Sequence, residues 1–254
     1  MPVRLDPPFA AALATADRPR IGMWVCSGSP LVAEICAGSG LDWLLIDMEH
    51  APNGLASVLA QLQAVAAYPL TPVVRVPAND AVTIKQVLDL GAQNLLVPMV
   101  ESRAGAEAAL RAATYPPRGI RGVGSALSRG GRWNRVDGYL TADTVSVLVQ
   151  VESAVAVEHV QEIARSGVHG IFVGPSDLAA SMGLPGQQEH PEVVAAAEHC
   201  IAAGVRAGVP VGINAFQPGT ARRYAAAGAS FLLVGADVTL LARGSEDLAE
   251  GWTR

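Results

Sequence analysis

Four places in the chain set residues able to do chemistry beside short apolar runs. Glu49 and His50 follow DWLLIDM, with Asp47 just inside it; Arg75 stands in PVVRV; Gln150 and Glu152 close SVLVQVE; Ser176 and Asp177 follow GIFVG. Two carboxylates from different runs, Glu152 and Asp177, suit a hard divalent cation, because Mg²⁺ commonly takes one or two carboxylates and keeps positions for water and substrate. An arginine nearby clamps a substrate carboxylate and offsets developing negative charge. A histidine such as His50 suits proton transfer near neutrality. Such a set fits enolate chemistry on a 2-oxo acid, the cation chelating the carboxylate and keto oxygens. Lys85 is the single lysine and lies in the helical pattern NDAVTIKQVLDLGAQ, a poor place for a buried imine, so no Schiff-base lysine is expected. Plainer roles are open to each residue: Asp177 as a helix cap, Glu152 in a structural ion pair, His50 as a strand terminator, Arg75 as the neutraliser of Glu152 or Asp47. His159, His169, His190 and His199 show no comparable clustering.

These residues need elements that bring them to one place. Eight short runs, most of them continuously apolar, read as strands: 21–25, 42–48, 72–76, 94–100, 146–152, 170–174, 209–213 and 230–235. Uninterrupted apolar runs are the mark of parallel strands covered on their outer face. Between them lie Ala/Leu-rich helical stretches, several ending at glycine. Eight strand–helix units in about 250 residues predict an α/β fold, a closed (β/α)₈ TIM barrel, over a single domain 1–254. The rival, an open doubly wound sheet, usually carries a glycine-rich phosphate turn after its first strand, and CSGSP at 26–30 is not one. GVGSA at 122–126 has no strand leading into it and reads as loop. In a barrel the strand C-terminal ends surround the active site, which gathers all the groups above at one mouth.

Net charge −5 and a pI near 5.5 supply no basic face for nucleic acid. Cys26, Cys36 and Cys200 form no CxxC pair and no disulfide framework. Residues 1–20 lack a signal pattern and no stretch is long enough to span a membrane, so a soluble, cytoplasmic protein with small-molecule partners is expected. The connection between the fourth and fifth strands is unusually long and holds Arg118, Arg121, Arg129, Arg132 and Arg135 with Tyr115, Trp133 and Tyr139. It is open to three readings: an anion-binding substrate gate, a subunit interface, or a solvated loop whose arginines pair locally.

Five segments, DWLLIDMEHAPN, PVVRVPANDAVTIKQVLDLGAQNLLVPMV, YPPRGIRGVGSALSRGGRWNR, VLVQVES and GIFVGPSDLAASMG, resemble the HpcH/HpaI family of metal-dependent (class II) pyruvate aldolases. The resemblance runs from about residue 8 to 250. It implies a phosphoenolpyruvate/pyruvate-domain-like barrel assembled as a homohexamer, a trimer of dimers exchanging a C-terminal helix, here VTLLARGSEDLAEGW. The implied reaction is reversible aldol cleavage of a 4-hydroxy-2-oxo acid, 4-hydroxy-2-oxoheptanedioate or similar, to pyruvate and an aldehyde such as succinic semialdehyde. It would pass through a pyruvate enolate on Mg²⁺, Mn²⁺ or Co²⁺, in the catabolism of aromatic compounds. By motif, Glu152 and Asp177 would be the metal ligands, His50 the acid/base, and Asp89 the residue raising its basicity across a subunit contact. Arg75 would stabilise the enolate, Gln150 and the backbone around Ser176 would hold pyruvate, and Asp47 and Trp24 would shape the metal-water shell and pocket wall. Relatives acting on 2-keto-3-deoxy sugar acids, of rhamnonate or glucarate type, and an oxaloacetate decarboxylase are the alternatives. The chain departs from the family pattern at GPSD, where GPAD is usual, and at GINAFQP, where a more aliphatic stretch is common; Asn214 would alter which aldehyde is accepted.

Overall fold

All eight apolar runs form strands in the computed structural model, which describes residues 5–253. They are β1 (Arg20–Val25), β2 (Trp43–Asp47), β3 (Thr71–Arg75), β4 (Asn94–Val97), β5 (Ser146–Val151), β6 (Gly170–Val173), β7 (Val211–Asn214) and β8 (Phe231–Ala236). Each pairs in parallel with the next, and β8 returns to β1 to close the barrel. Their side chains are buried on both faces, which is why the runs carry no polar alternation. The helices are α1 (Phe9–Ala14), α2 (Pro30–Ala37), α3 (Leu55–Ala64), α4 (Ala81–Asp89), α5 (Arg103–Ala113), α6 (Ala154–Glu158), α7 (Val160–Ala164), α8 (Pro175–Ser181), α9 (Pro191–Ala207), α10 (Pro218–Ala226) and α11 (Asp237–Thr253). Hydroxyl or carboxylate caps start several of them, Ser29 for α2, Asp80 for α4 and Ser102 for α5, each accepting from the N–H three residues on. The helical stretch AVEHVQEIARSG, 156–167, is interrupted at His159, which separates α6 from α7.

The barrel interior is filled. Phe9, Trp43, Phe172 and Phe231 pack with Leu45, Leu96, Leu148 and Leu233 inside the strands. The rings of Phe9 and Phe231 meet edge to face at 5.4 Å, and those of Trp43 and Phe231 at 5.6 Å. Space for them comes from glycines: a Cβ on Gly212 would lie 2.1 Å from the Phe231 ring, and one on Gly22 2.6 Å from Trp43. α1 closes the strand N-terminal end, its first amides bonded to Asn94 Oδ1 (2.6 Å) and Ser146 Oγ (3.0 Å). This element was not foreseen from the short apolar patch that encodes it.

The long connection, residues 114–145, follows a helix and precedes a strand, so it lies at that same closed end. In its own chain it does not reach the mouth. Its arginines are met locally. Arg121 is buried, bonds Asp89 Oδ1 at 2.8 Å and stacks on Tyr115 at 4.5 Å. Arg118 pairs with Asp143, Arg129 donates to the Leu90 carbonyl, and Arg135 lies over Trp133. Asp89, the last residue of α4, is therefore at the opposite end from His50 in the same chain and is held by Arg121.

The N-terminal stretch read for a signal begins outside the described residues. Among the described residues no helix is long and apolar enough to cross a membrane. α11 is anchored at its start, where buried Asp237 accepts the amides of Cys26 and Ser27 at 2.8 and 3.0 Å. Beyond Asp237 it is exposed, including Leu240, Leu241, Leu248 and Trp252.

One histidine ties two strands. His169 Nδ1 accepts the Val147 N–H at 3.1 Å, and burial lowers the imidazole pKa below its ordinary 6.5. The unfolded chain then binds the proton more readily, so stability rises with pH across the window from the depressed pKa to about 6.5 and falls on acidification through it. Unfolding free energies from urea denaturation between pH 7.5 and 5 should fall, by at most about 1.4 kcal/mol per pH unit for one proton, and the fall should be shallower in His169→Gln.

Candidate active site

Neighbouring strands place Asp47 and Arg75 opposite one another, each as the last residue of its strand. Arg75 Nε and Nη2 donate to the two Asp47 oxygens at 2.7 and 2.8 Å, and Nη1 lies 2.8 Å from Glu49 Oε2. Asp47 also accepts the amides of Glu49 and His50 at 3.0 and 3.3 Å, so the turn after β2 is folded onto it. The guanidinium lies 4.4 Å over the Trp24 ring. Burial works against the Asp47 charge, but the bonds from Arg75 outweigh it and hold the carboxyl below the usual range. Arg75 is thereby charged, rigid and buried, the state suited to meeting an oxyanion. Of its plainer roles, the structure realises neutralisation of Asp47 and not of Glu152, to which no bond joins it; Arg75 also meets Glu49.

Glu152 follows β5 and is 3% exposed. Its Oε1 accepts the Met99 N–H at 2.7 Å, and Met99 takes a left-handed φ of 54°. Its Oε2 accepts from Gln150 Nε2, and Gln150 Oε1 is left buried without a partner among the described residues. Gly174 faces the pair: a Cβ there would lie 2.8 Å from Gln150 Nε2 and 3.0 Å from Glu152 Oε2. Burial raises the Glu152 pKa, and the charges of Glu49 and Asp177 add to that while the Met99 amide opposes it. Glu49 is raised too, first by burial, despite Arg75. Asp177 is the third residue of α8 and exposed; Gly174, the residue before the helix, is its N-cap and no side chain caps it, so the capping role is not taken up.

A buried carboxylate crowded by two others, with no cation bonded to it among the described residues, is expensive unless something positive joins it. Glu152 and Asp177 with the orphaned Gln150 oxygen and the space left by Gly174 fit a hard divalent cation through oxygen ligands. Among the described residues no group of three or more His, Cys, Asp and Glu is arranged to hold a metal by itself. His50 is exposed at the rim, its Nε2 3.9 Å from Glu49 Oε2. The mouth thus collects His50, Arg75, Gln150, Glu152, Ser176 and Asp177, and leaves out Asp89. Three features escaped the sequence reading: the Glu49 contact to Arg75, the Met99 amide on Glu152, and a bond from Trp24 Nε1 to Asn214 Oδ1 at 2.8 Å.

Residues 20–244 match the family described as HpcH/HpaI aldolase/citrate lyase. The chain is 53% identical over 254 residues to a hydroxypyruvate/pyruvate aldolase of Deinococcus radiodurans, covering 98% of this chain and 91% of that protein. It is 53% identical over 241 residues to a 4-hydroxy-2-oxo-heptane-1,7-dioate aldolase of Klebsiella pneumoniae, covering 94% and 91%. A solved structure of a family protein from Burkholderia cenocepacia superimposes with a TM-score of 0.92 at 42% identity, covering 97% of this chain and 99% of that one. Matches that span nearly the whole length on both sides, on a barrel whose mouth carries the residues above, establish that the chain belongs to the HpcH/HpaI aldolase/citrate lyase family.

Proposed function

We propose that the chain is a pyruvate aldolase, a carbon–carbon lyase that reversibly cleaves a 4-hydroxy-2-oxo acid to pyruvate and an aldehyde. The observation that carries the reading is Glu152, a buried carboxylate with no bonded cation among the described residues, set beside Asp177 and a preorganised Arg75 at one barrel mouth. A divalent cation, Mg²⁺, Mn²⁺ or Co²⁺, held by Glu152 and Asp177 would supply Lewis-acid polarisation of the 2-oxo group. Gln150 and the backbone at Ser176 hold the substrate's carboxylate end. His50 takes the C4 hydroxyl proton, through a water, as the C3–C4 bond breaks. Arg75 meets the charge that develops on the enolate oxygen, and its buried, clamped position means that little reorganisation is needed at that moment. Protonation at C3 then gives pyruvate. Asp89 raises the basicity of His50 from a second copy of the chain, since within one copy the two lie at opposite ends. A homohexamer, a trimer of dimers exchanging α11, agrees with the exposed leucines and Trp252 of that helix; sedimentation velocity on the purified protein reads it. Unpaired Cys26, Cys36 and Cys200 accord with the reducing cytoplasm.

Two assays on one preparation test the reading. Methyl protons of pyruvate should exchange in D₂O, and pyruvate should be released from racemic 4-hydroxy-2-oxoheptanedioate, the substrate class named for the Klebsiella relative. Both should stop with EDTA and return with Mn²⁺ or Mg²⁺. Turnover undiminished by EDTA in protein shown to be metal-free overturns the metal assignment, and absence of both reactions in folded, metal-loaded protein overturns the aldolase reading.

A further inference from the structure

Beside the mouth, between the segments that follow β6 and β7, lies a second cavity of about 230 Å³ whose walls include Ser176, Glu189, Asn214, Gln217 and Tyr224. It shares Ser176 with the proposed pyruvate site, and Asn214 is tied through Trp24 to Arg75. The Trp24 indole is wedged by the Arg75 guanidinium on its face and by Phe172 edge-on at 6.2 Å. An indole nitrogen only donates, so the Asn214 amide must turn its oxygen toward Trp24 and its NH₂ away. Among the described residues that NH₂ has no bonded partner. The Tyr224 hydroxyl, on a residue 1% exposed, is buried without a partner as well. Glu189 accepts the Thr220 hydroxyl with one carboxylate oxygen, at 2.5 Å, and keeps the other. The cavity therefore offers donors and acceptors side by side, one negative charge, and no Lys, Arg or His among its lining residues.

Building on the aldolase reading, we propose that this cavity is the subsite for the chain beyond C4, and that it selects neutral, hydroxylated aldehydes. Asn214 donates to a hydroxyl of the aldehyde, Tyr224 completes the bonding of a second, and Glu189 disfavours an aldehyde that carries its own carboxylate. An aliphatic aldehyde leaves the Asn214 and Tyr224 groups buried and unpaired, which is the costly outcome.

The test is aldol addition of pyruvate to three aldehydes: glyceraldehyde, propanal of the same carbon number, and succinic semialdehyde. The wild-type protein should show kcat/KM for glyceraldehyde about tenfold or more above both others. Asn214→Leu should lower the glyceraldehyde-to-propanal ratio about tenfold, and Tyr224→Phe should lower it by a smaller factor. A wild-type ratio near one, a preference for succinic semialdehyde, or a ratio that Asn214→Leu leaves in place overturns the proposal. Pyruvate proton exchange by the wild-type protein without any aldehyde tests the aldolase reading separately. If that exchange is absent, saturation-transfer NMR with erythritol still reads the cavity: a signal lost in Asn214→Leu supports it, and no signal in the wild type overturns it.

Discussion

Replacing Arg75 with lysine should lower kcat/KM for aldol cleavage by about 10²- to 10³-fold, the usual cost of removing one well-placed oxyanion donor. The charge survives the change; the geometry does not. Arg75 binds both Asp47 oxygens, reaches Glu49 with Nη1 and lies flat over Trp24. An ammonium is a point charge on a flexible stem and cannot hold those contacts together. Because the interaction matters most as enolate charge develops, kcat should fall more than KM rises. Pyruvate release followed through a coupled dehydrogenase checks this, with a thermal melt to show that the barrel remains folded. A loss below tenfold in folded protein would move the enolate-stabilising role away from Arg75.

Glu152→Gln should separate stability from activity. Turnover should fall below detection and the thermal shift on adding Mn²⁺ should vanish, because a ligand carboxylate has become a neutral amide. The metal-free variant should nevertheless be more stable than the metal-free parent at pH 7, by about 1–3 kcal/mol. The buried charge, crowded by Glu49 and Asp177, is gone. The Met99 amide still finds an oxygen, and Gln150, by turning its unpartnered Oε1 toward the new amide, gains an acceptor role that it lacks now. Urea denaturation of both proteins in EDTA measures the difference. A variant less stable than its parent would mean that the Glu152 charge is already compensated within the chain.

The strands were legible because both of their faces are buried, so each reads as an unbroken apolar run. Their ends were less so: 94–100 was read as one strand, but β4 stops at Val97, since Pro98 has no N–H to offer the ladder. Arg75, Gln150 and Glu152 stood out as charged or amide groups in otherwise apolar runs. The end of the barrel occupied by the Arg-rich connection was available from chain order alone, as a helix-to-strand link, and the aromatic content drew attention to function instead. The Trp24–Asn214 bond spans 190 residues, and no spacing rule reaches that far. The plug α1 is a six-residue FAAALA, too short for a helical period to show.

That plug also decides the order of events. With Phe9, Trp43 and Phe231 stopping the interior and Glu152 almost fully buried, the barrel is a blind-ended well, filled and emptied from one rim. If pyruvate is held at the floor by Gln150 and Arg75, as proposed, it has to wait for the aldehyde above it to depart. Cleavage should then release its products in sequence, aldehyde first, and in the synthetic direction the 2-oxo acid should enter before its partner; product-inhibition patterns read the order.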